Sequence, residues 1–466
     1  MRAFAAAQAL RKAVVLGCAV YAATVMAEDW PEFMGPRRDQ TSSETGLVEA
    51  IPRGGLPLVF EKQVGTGYSA PSIRGGVMVV HHRLRDEEIV EACDAATGRT
   101  IWKHGYPSTF RDPFGYNNGP RCSPLLTADR CYTFGAEGVL RCSDLKDGRV
   151  IWQRATQQDW EVPEAFFGVG SSPVLSDGML IVQLGAQPNS GVVAFDAATG
   201  KTIWENVGEK TWTGVPMTGW PGERLVTWNR SDPAFAKQAS YCSPVLATIH
   251  GEPYVLVVMR QGLVALEPKT GAHRFSYWFR ARQDSSVNAM TPVVSGDLVL
   301  LSSAYYKNGS VLLRVRPDGR GVDEVWRSLA LEMHWTRPVL ANGFLYAFSG
   351  RDEPDARFRC VEFATGKLRW DRVEGWPNGG HAKLGPGEPA PNVFGRGSAI
   401  LADGKLIALG EAGLLGLFRL NPERLEELGR WQVPKLGYPC WAAPVLAGGR
   451  LYLRDEERVV CYDLRK

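Results

Sequence analysis

An eleven-residue pattern recurs along the chain and constrains its fold more than any other feature. It has the form A-x-D-x-x-T-G-K-x-x-W, with clear copies over 92–102, 142–152 and 194–204 and degenerate copies over 265–275 and 360–370. Two further copies keep only the final aromatic residue, Trp326 and Trp431. A repeat of this kind is typical of folds that stack similar units around one continuous core. We therefore expect a repeat architecture rather than several unrelated domains.

A second sequence landmark occurs once in each unit and so gives the number of units. A residue that is usually small or hydroxyl-bearing precedes a proline and an apolar run, with the proline at 71, 124, 173, 244, 292, 338 and 444, and Ser398-Ala399 takes this place once. Successive landmarks lie 45 to 71 residues apart, which predicts eight units. Two of the longer intervals contain inserts at about 211–239 and 371–394. We expect both inserts to lie at the rim where chain segments enter the inner strands.

Each unit has the signature of four short antiparallel strands. In the seventh unit the apolar segments 397–401, 405–409 and 414–420 are separated by glycine turns, and a fourth strand carries the aromatic residue. Four such strands at this period are typical of a propeller blade. The last unit lacks a fourth strand, and 56–63, with Phe60, supplies one. The sequence thus predicts an all-β, eight-bladed propeller over 56–466, closed by an N-terminal strand and preceded by an extension over 28–55.

The pattern has a physical rationale. Asp and Thr side chains bond the backbone of a turn, Gly accepts a positive φ, and the aromatic residue offers a flat face to the neighbouring blade. We expect a structural docking role for Phe60, Trp102, Trp152, Trp204, Phe275, Trp326, Trp370 and Trp431.

Residues 1–27 have the features of a secretory signal peptide: basic residues, an apolar run over 13–23 and Val25-Met26-Ala27 as a cleavage pattern. Their removal takes away three of 53 basic side chains and leaves 50 against 50 acidic ones. A formally neutral chain without a basic run argues against nucleic-acid binding. We expect an exported protein, periplasmic or secreted, with no membrane span after signal removal and no lipid anchor at Cys18.

Eight cysteines remain, and none has the spacing of a zinc site. Cys131 and Cys142 flank a turn, so they either form a disulfide or are buried thiols. His81 and His82 precede a charged segment, and we expect them in a solvated hairpin. No metal site is predicted.

The motif resembles the tryptophan-docking motif of quinoprotein alcohol dehydrogenases and other pyrroloquinoline-quinone-type propellers, over about 55–466. Residues 29–46 resemble a segment of exported, quinone-binding-like repeat proteins of planctomycete-type bacteria, most without an established activity. A further relative is the eight-bladed lipoprotein subunit of the outer-membrane barrel assembly machinery, a scaffold that binds no cofactor. The resemblance implies an eight-bladed propeller with a central funnel.

Dehydrogenases of this family have an adjacent Cys-Cys pair, a Trp floor, a calcium ion and a catalytic Asp. This chain has no adjacent cysteines and no C-x-x-C-H motif. We therefore predict no cofactor; pyrroloquinoline quinone and calcium belong only to the alternative, a quinone-dependent dehydrogenase of an alcohol or a sugar.

Candidate binding residues lie where the chain enters the inner strands. Three positions before each landmark proline, or its equivalent, the eight units carry Tyr68, Arg121, Gly170, Tyr241, Ala289, Trp335, Arg396 and Trp441. With Asn118, His334 and Arg337 nearby, these residues either bind a small planar or anionic ligand or fill the channel. The sequence favours an exported, non-catalytic scaffold that binds a ligand or an envelope protein at the funnel rim.

Overall fold

The computed structural model describes residues 28–162, 167–186, 189–208, 240–281, 286–381 and 389–466. Thirty-two strands form eight four-stranded antiparallel sheets, which confirms the predicted eight-bladed, all-β propeller. Among the described residues, helical structure is confined to α1 (Thr156–Asp159) and to three 3₁₀ turns, Tyr305–Lys307, Glu353–Asp355 and Pro377–Gly379. In the part of the chain that the structure describes, no helix is long and apolar enough to span a bilayer.

The strands follow the chain from blade to blade. Strand β1 (Leu58–Gln63) belongs to blade 8. Blades 1 to 4 comprise β2 (Ser72–Arg74), β3 (Val77–Leu84), β4 (Glu87–Asp94) and β5 (Thr100–Pro107); β6 (Leu125–Leu126), β7 (Arg130–Phe134), β8 (Val139–Asp144) and β9 (Val150–Ala155); β10 (Val174–Ser176), β11 (Met179–Ala186), β12 (Ser190–Asp196) and β13 (Thr202–Asn206); and β14 (Val245–Ile249), β15 (Glu252–Met259), β16 (Gly262–Leu266) and β17 (His273–Trp278).

Blades 5 to 8 continue in the same way. They comprise β18 (Val293–Ser295), β19 (Leu298–Ser303), β20 (Gly309–Val315) and β21 (Val322–Ser328); β22 (Val339–Ala341), β23 (Phe344–Ser349), β24 (Arg357–Glu362) and β25 (Leu368–Val373); β26 (Ser398–Ala402), β27 (Lys405–Leu409), β28 (Leu414–Arg419) and β29 (Glu426–Gln432); and β30 (Val445–Ala447), β31 (Arg450–Arg454) and β32 (Arg458–Asp463), with β1 as the outer strand.

Blade 8 joins the two ends of the propeller. Strand β1 pairs antiparallel with β32, with Phe60 opposite Cys461. The predicted closing strand is therefore present, and the pairing gives β32 the partner that an open array would lack.

The alternating strand directions give the propeller two different faces. Connections between blades lie at the start of the inner strands, on what we call the mouth face. The tight turns after the first and third strands lie on the opposite, turn face. Since the connections are long and the turns short, loop variation is concentrated at the mouth.

Five of the predicted docking residues, all tryptophans, bond to the next blade. Their indole nitrogens donate to backbone carbonyls there, each at 2.9 Å: Trp102 to Leu145, Trp152 to Ala197, Trp204 to Pro268, Trp326 to Phe363 and Trp370 to Asn421. For four of these rings, those of Trp102, Trp152, Trp204 and Trp326, the motif glycine of the next blade lies beneath the ring. Gly148 has φ of +75°, and a Cβ atom on it would lie 2.5 Å from Trp102. The glycine is required both by its backbone conformation and by the ring that covers it.

A bulge in each outer strand aims these aromatics inward. In blade 1, Trp102 lies opposite Ala92 and Thr100 opposite Cys93, so that Ile101 is skipped and is half exposed. The corresponding register shift occurs in all eight blades. Because the extra residue turns the strand locally, Trp102 stays buried between blades.

Blade 7 departs from the predicted pattern. Its bulge places Gly429, and not Trp431, at the docking position opposite Leu417. Ile51 of the N-terminal extension covers Gly429, and the Trp431 ring lies over Gly55 instead. The aromatic of this blade therefore packs against the segment that leads into β1, two residues out of register with the other copies.

The predicted solvated hairpin at His81 and His82 is wrong. Both residues lie on β3 and are completely buried. The Gly65 backbone N–H donates to Nδ1 of His82 at 2.9 Å, so the ring proton is on Nε2, 3.1 Å from Glu91. Burial lowers the pKa of His82 to about 4. The neutral ring is thus a structural link at the inner edge of blade 1.

Cys131 and Cys142 are free and buried thiols, so the disulfide alternative is wrong. Cys142 lies opposite Tyr132, whereas Cys131 lies opposite Ser143. Neighbouring residues of a strand point to opposite faces of the sheet, and the two sulfurs consequently pack in different interblade cores.

The N-terminal extension crosses the turn face of the channel. Trp30 pairs with Ile73 of β2, and Thr41 pairs with Leu401 of β26. Further hydrogen bonds join the extension to Leu126, Leu175, Arg337, Gly448 and Gly449. These contacts involve six of the eight blades. The extension therefore ties both ends of the ring together and lines the bottom of the channel.

The substitution Trp102→Ala tests the docking interaction. It removes an almost fully buried indole and leaves Gly148 without its cover, so we expect it to lower the free energy of unfolding by about 3–5 kcal/mol. The adjacent half-exposed Ile101 supplies the control, since Ile101→Ala should change stability by less than about 0.5 kcal/mol. Urea unfolding followed by circular dichroism measures both. Equal losses in the two variants would contradict an interblade role for Trp102.

Candidate functional site

The structure brings the eight equivalent channel positions together. All of them line one cavity of about 300 Å³ on the propeller axis: Tyr68, Arg121, Gly170, Tyr241, Ala289, Trp335, Arg396 and Trp441. Each comes from a mouth-face connection just before an inner strand. The equivalence in sequence is therefore an equivalence in space, because eight similar blades direct the same position toward the axis. That these residues bind a ligand stays a prediction.

Aromatic rings form most of the upper wall. Trp441 contacts Tyr68 at 4.8 Å between ring centroids, Trp335 at 5.2 Å and Tyr116 at 5.7 Å. Phe167 continues the series to Tyr116 at 6.0 Å and to Tyr241 at 5.4 Å. The rings meet at tilted or edge-on angles, which are favourable for aromatic pairs. We call this set, Tyr68, Tyr116, Phe167, Tyr241, Trp335 and Trp441, the aromatic collar.

Arg121 is bound by the protein itself. Its guanidinium donates to the Asp112 carboxylate at 2.6 Å and to the backbone carbonyls of Asn117 and Gly119. The Asp112 side chain is almost inaccessible to solvent. Burial lowers the pKa of Arg121, although Asp112 favours its charge. The Arg121 guanidinium, which the sequence suggested for binding an anionic ligand, is therefore already paired with Asp112.

Arg396 is held in the same manner. It donates to Oε2 of Glu411 through both Nε, at 3.0 Å, and Nη2, at 2.8 Å, while the indole of Trp441 donates to the same oxygen at 2.9 Å. The guanidinium also lies 4.9 Å from the Trp335 ring centroid. Burial opposes the charge on Arg396, but the Glu411 carboxylate outweighs it and raises the pKa. The pair fixes the relative positions of two collar tryptophans.

The remaining predicted binding residues are placed differently. His334 and Arg337 line the cavity, whereas Asn118 lies outside it and accepts a hydrogen bond from the Asp112 backbone N–H at 2.7 Å. His334 contacts Tyr305 and Trp335 at 5.1 and 4.8 Å between ring centroids. Burial and the nearby charges of Arg396 and Arg351 lower the pKa of His334 well below its usual value. His334 is therefore neutral at physiological pH.

Several lining residues were missed by the sequence reasoning. Tyr116, Phe167, Tyr305 and Arg351 come from mouth-face loops, where no repeat position marks them. The cavity floor is formed by the N-terminal extension, through Trp30, Glu32, Phe33, Met34 and Gln40. The aromatic pattern of 30–33 was the only available signal, and it did not indicate a position inside the channel.

Of the two predicted inserts, only the second lies partly within the described residues. The insert predicted at 211–239 lies outside the described residues. Within the second, predicted at 371–394, Trp376 is buried, and its ring centroid lies 5.8 Å from that of Tyr438. The His381 ring stacks on Tyr438 with 3.8 Å between ring centroids. Tyr438 in turn contacts Trp441 at 6.0 Å. This part of the second insert therefore buttresses the aromatic collar at the mouth.

The described residues of the cavity do not provide the donors that calcium requires. Calcium binds six to eight oxygens, including several carboxylates. The described ranges contain no group of three or more His, Cys, Asp or Glu side chains that could hold a metal ion. Asp112 is paired with Arg121, and Glu32 lies 2.7 Å from Arg38. The residues present thus do not fit a calcium-assisted quinone site.

Comparison with known proteins finds similarity to BamB and, in fold, to dehydrogenases. A family model described as outer membrane protein assembly factor BamB matches residues 85–372. No curated protein sequence is significantly similar to the chain.

Among solved structures, quinohemoprotein alcohol dehydrogenase from Comamonas testosteroni is 14% identical, with 94% of this chain and 81% of that chain covered and a TM-score of 0.62. BamB from Moraxella catarrhalis is 14% identical, with 88% and 99% covered and a TM-score of 0.53. A europium-containing methanol dehydrogenase is 13% identical, with 93% and 89% covered and a TM-score of 0.63. At such identities the similarity concerns the fold alone.

The Arg396–Glu411 pair can be tested by a double-mutant cycle. Glu411→Leu leaves a buried guanidinium without its carboxylate, so we expect a loss of about 3–5 kcal/mol in the free energy of unfolding. Because Glu411→Leu combined with Arg396→Met removes both charges, the double variant should be more stable than Glu411→Leu alone. Urea titrations of the four proteins give the coupling energy. Additive losses would contradict the pairing.

Proposed function

The chain belongs to the propeller family described as outer membrane protein assembly factor BamB, and on that premise we propose that it is an exported, non-catalytic scaffold. Its partner is a protein of the cell envelope, bound at the mouth of the propeller. The observation that carries this proposal is the aromatic surface at the mouth, where Tyr116 is 56% exposed while its ring also packs on Trp441 of the collar.

The mouth offers binding area rather than reactive groups. Phe114, from the same loop as Tyr116, is 58% exposed and packs on Phe167 at 5.1 Å. Exposed aromatic side chains supported by a rigid scaffold are typical of binding hot spots, since they bury a large area at little entropic cost. Tyr306, between β19 and β20 of blade 5, adds another partly exposed ring to this face.

The charges beneath the rim support a non-catalytic role. Glu411 and Asp112 are engaged by arginines, and Glu353 accepts a hydrogen bond from the Tyr438 hydroxyl at 2.5 Å. A general base must be able to reach the proton that it removes, and these carboxylates are occupied in holding the collar. The acids therefore serve to position aromatic rings.

The opposite face is less suited to a partner that enters the channel. The N-terminal extension crosses it, with Glu44 accepting the backbone N–H groups of Gly448 and Gly449 at 2.6 and 2.5 Å. Access to the axis is therefore favoured at the mouth. Insertions on a rigid scaffold commonly carry partner specificity, and the second insert supports this same face through Trp376, whose ring packs against Tyr438 outside the insert.

Photocrosslinking in intact cells tests the site of partner binding. With p-benzoylphenylalanine at position 116, we expect crosslinks to a defined envelope protein, and Phe114→Ser should reduce the affinity of the purified complex by about 10-fold or more. The matched control carries the same probe at position 203, because Ile203 is 46% exposed on the outer strand β13. Crosslinks from position 203 and none from position 116 would contradict binding at the mouth.

Reconstitution tests the absence of quinone chemistry. After incubation with pyrroloquinoline quinone and calcium chloride, we expect no rise in melting temperature and no alcohol-dependent dye reduction, since the cavity residues that the structure describes form no calcium donor set. Calcium chloride alone is the control for ion effects. A quinone-dependent rise in melting temperature together with dye reduction would establish the dehydrogenase alternative instead.

A further inference from the structure

We propose that the floor of the channel is a binding site for a small hydroxylated aromatic carboxylic acid, separate from the partner surface at the mouth. The site is formed where the N-terminal extension meets blades 6 and 7. Its polar residues are Gln40, Arg337 and Ser398, which all line the cavity. We call these three residues the inner site.

Arg337 indicates a negatively charged ligand. The residue is 9% exposed, and among the described residues its side chain donates only to two backbone carbonyls, Pro292 and Asp39, each at 3.2 Å. In the described part of the chain no carboxylate lies within ion-pair distance, in contrast to Arg121 and Arg396. The Asp39 carboxylate favours the charge from beyond that distance, but a desolvated cation without a counter-ion in contact is unfavourable. A carboxylate in the cavity would supply the missing partner, bound through the planar guanidinium.

Burial also lowers the pKa of Arg337 to about 10. The guanidinium nevertheless keeps its proton at neutral pH. The channel floor thus holds a positive charge under physiological conditions.

Gln40 indicates a donor on the same ligand. Its Nε2 donates to the carbonyls of Ala399 at 2.8 Å and Arg337 at 3.3 Å, which fixes the orientation of the amide. Its Oε1 is buried and has no hydrogen-bond partner among the described residues. Buried acceptors are nearly always satisfied in folded proteins. An O–H or N–H group of the ligand would satisfy this one.

Two further observations fit a built site. The hydroxyl of Ser398, also buried and without a partner among the described residues, is adjacent in sequence to Ala399, whose carbonyl Gln40 binds. Gln40 itself has φ of +67°, a left-handed backbone conformation that is uncommon outside glycine. Such conformations persist where surrounding contacts enforce them and concentrate at functional sites.

The walls indicate the body of the ligand. Phe33 and Met34 of the extension, Ile400 and Val445 of inner strands, and Trp335 of the collar all line the same cavity. Apolar walls with a few convergent polar groups are typical of small-molecule sites, and a volume of about 300 Å³ is at the lower end of their range. One aromatic ring with a carboxylate and a hydroxyl matches this chemistry.

Calorimetric titration of the purified protein tests the proposal. The probes are the three hydroxybenzoate isomers, benzoate and the corresponding hydroxybenzamides, in a buffer without other organic acids. We expect at least one hydroxybenzoate to bind, its neutral amide to bind about 10-fold more weakly or worse, and benzoate to be weaker than its hydroxylated form. No binding of any acid at millimolar concentration would overturn the proposal, as would equal binding of acid and amide.

Variants locate the site. Arg337→Gln should weaken binding by about 10-fold or more, and the buried, nearly isosteric Ser398→Ala by a smaller factor. Arg316→Gln is the matched control, because Arg316 is exposed, pairs with Asp323 and does not line the cavity. Circular dichroism verifies folding. If Arg337→Gln fails to fold, Ser398→Ala decides, and unchanged affinity in the folded variant overturns the proposal.

Competition separates the proposed ligand from a simple ion. Chloride and inorganic phosphate should displace the bound acid only at far higher concentrations, because neither has an apolar body. Equal displacement would show an adventitious ion only. Crosslinking from position 116 is unaffected by these outcomes, so the inner site and the partner surface can fail independently.

Discussion

The interblade contact of an indole with a glycine turn is the interaction on which the rest of the structure depends. A four-stranded blade has two faces and cannot bury both by itself, so each blade needs its neighbour. The Trp102 ring covers Gly148 and donates a hydrogen bond to the Leu145 carbonyl in the next blade. The contact thus combines apolar burial with a satisfied polar group. Its repetition fixes the angle between blades and closes the ring at eight.

A closed ring of eight equivalent blades directs eight equivalent loop positions toward one axis. The propeller thereby turns a sequence repeat into a channel wall that can vary residue by residue while its scaffold stays constant. In this protein the variation has produced an aromatic collar held by two ion pairs, Arg121 with Asp112 and Arg396 with Glu411. Both arginines are of a residue type that commonly binds anions, but because each is paired with a carboxylate, their role is to position the aromatic rings of the collar.

The N-terminal extension changes the character of the channel. Its residues close the turn face and bring Gln40 beside Arg337, where charge and hydrogen-bonding capacity remain unmatched within the described chain. The collar and the floor therefore differ in kind. The collar is internally neutralised and presents aromatic area, whereas the floor combines apolar walls with an unpaired cation.

The sequence by itself determined the eight-bladed fold, the closing strand and the eight channel positions, because all of these follow from local periodicity. The partners of individual side chains were decided only by the tertiary structure. No repeat position predicts that Arg121 pairs with Asp112, that His82 is buried, or that Gln40 approaches Arg337. Even within the repeat, the bulge of blade 7 moved Trp431 off the docking position. Periodicity specifies the scaffold, whereas charge pairing and channel closure depend on where nonequivalent loops meet.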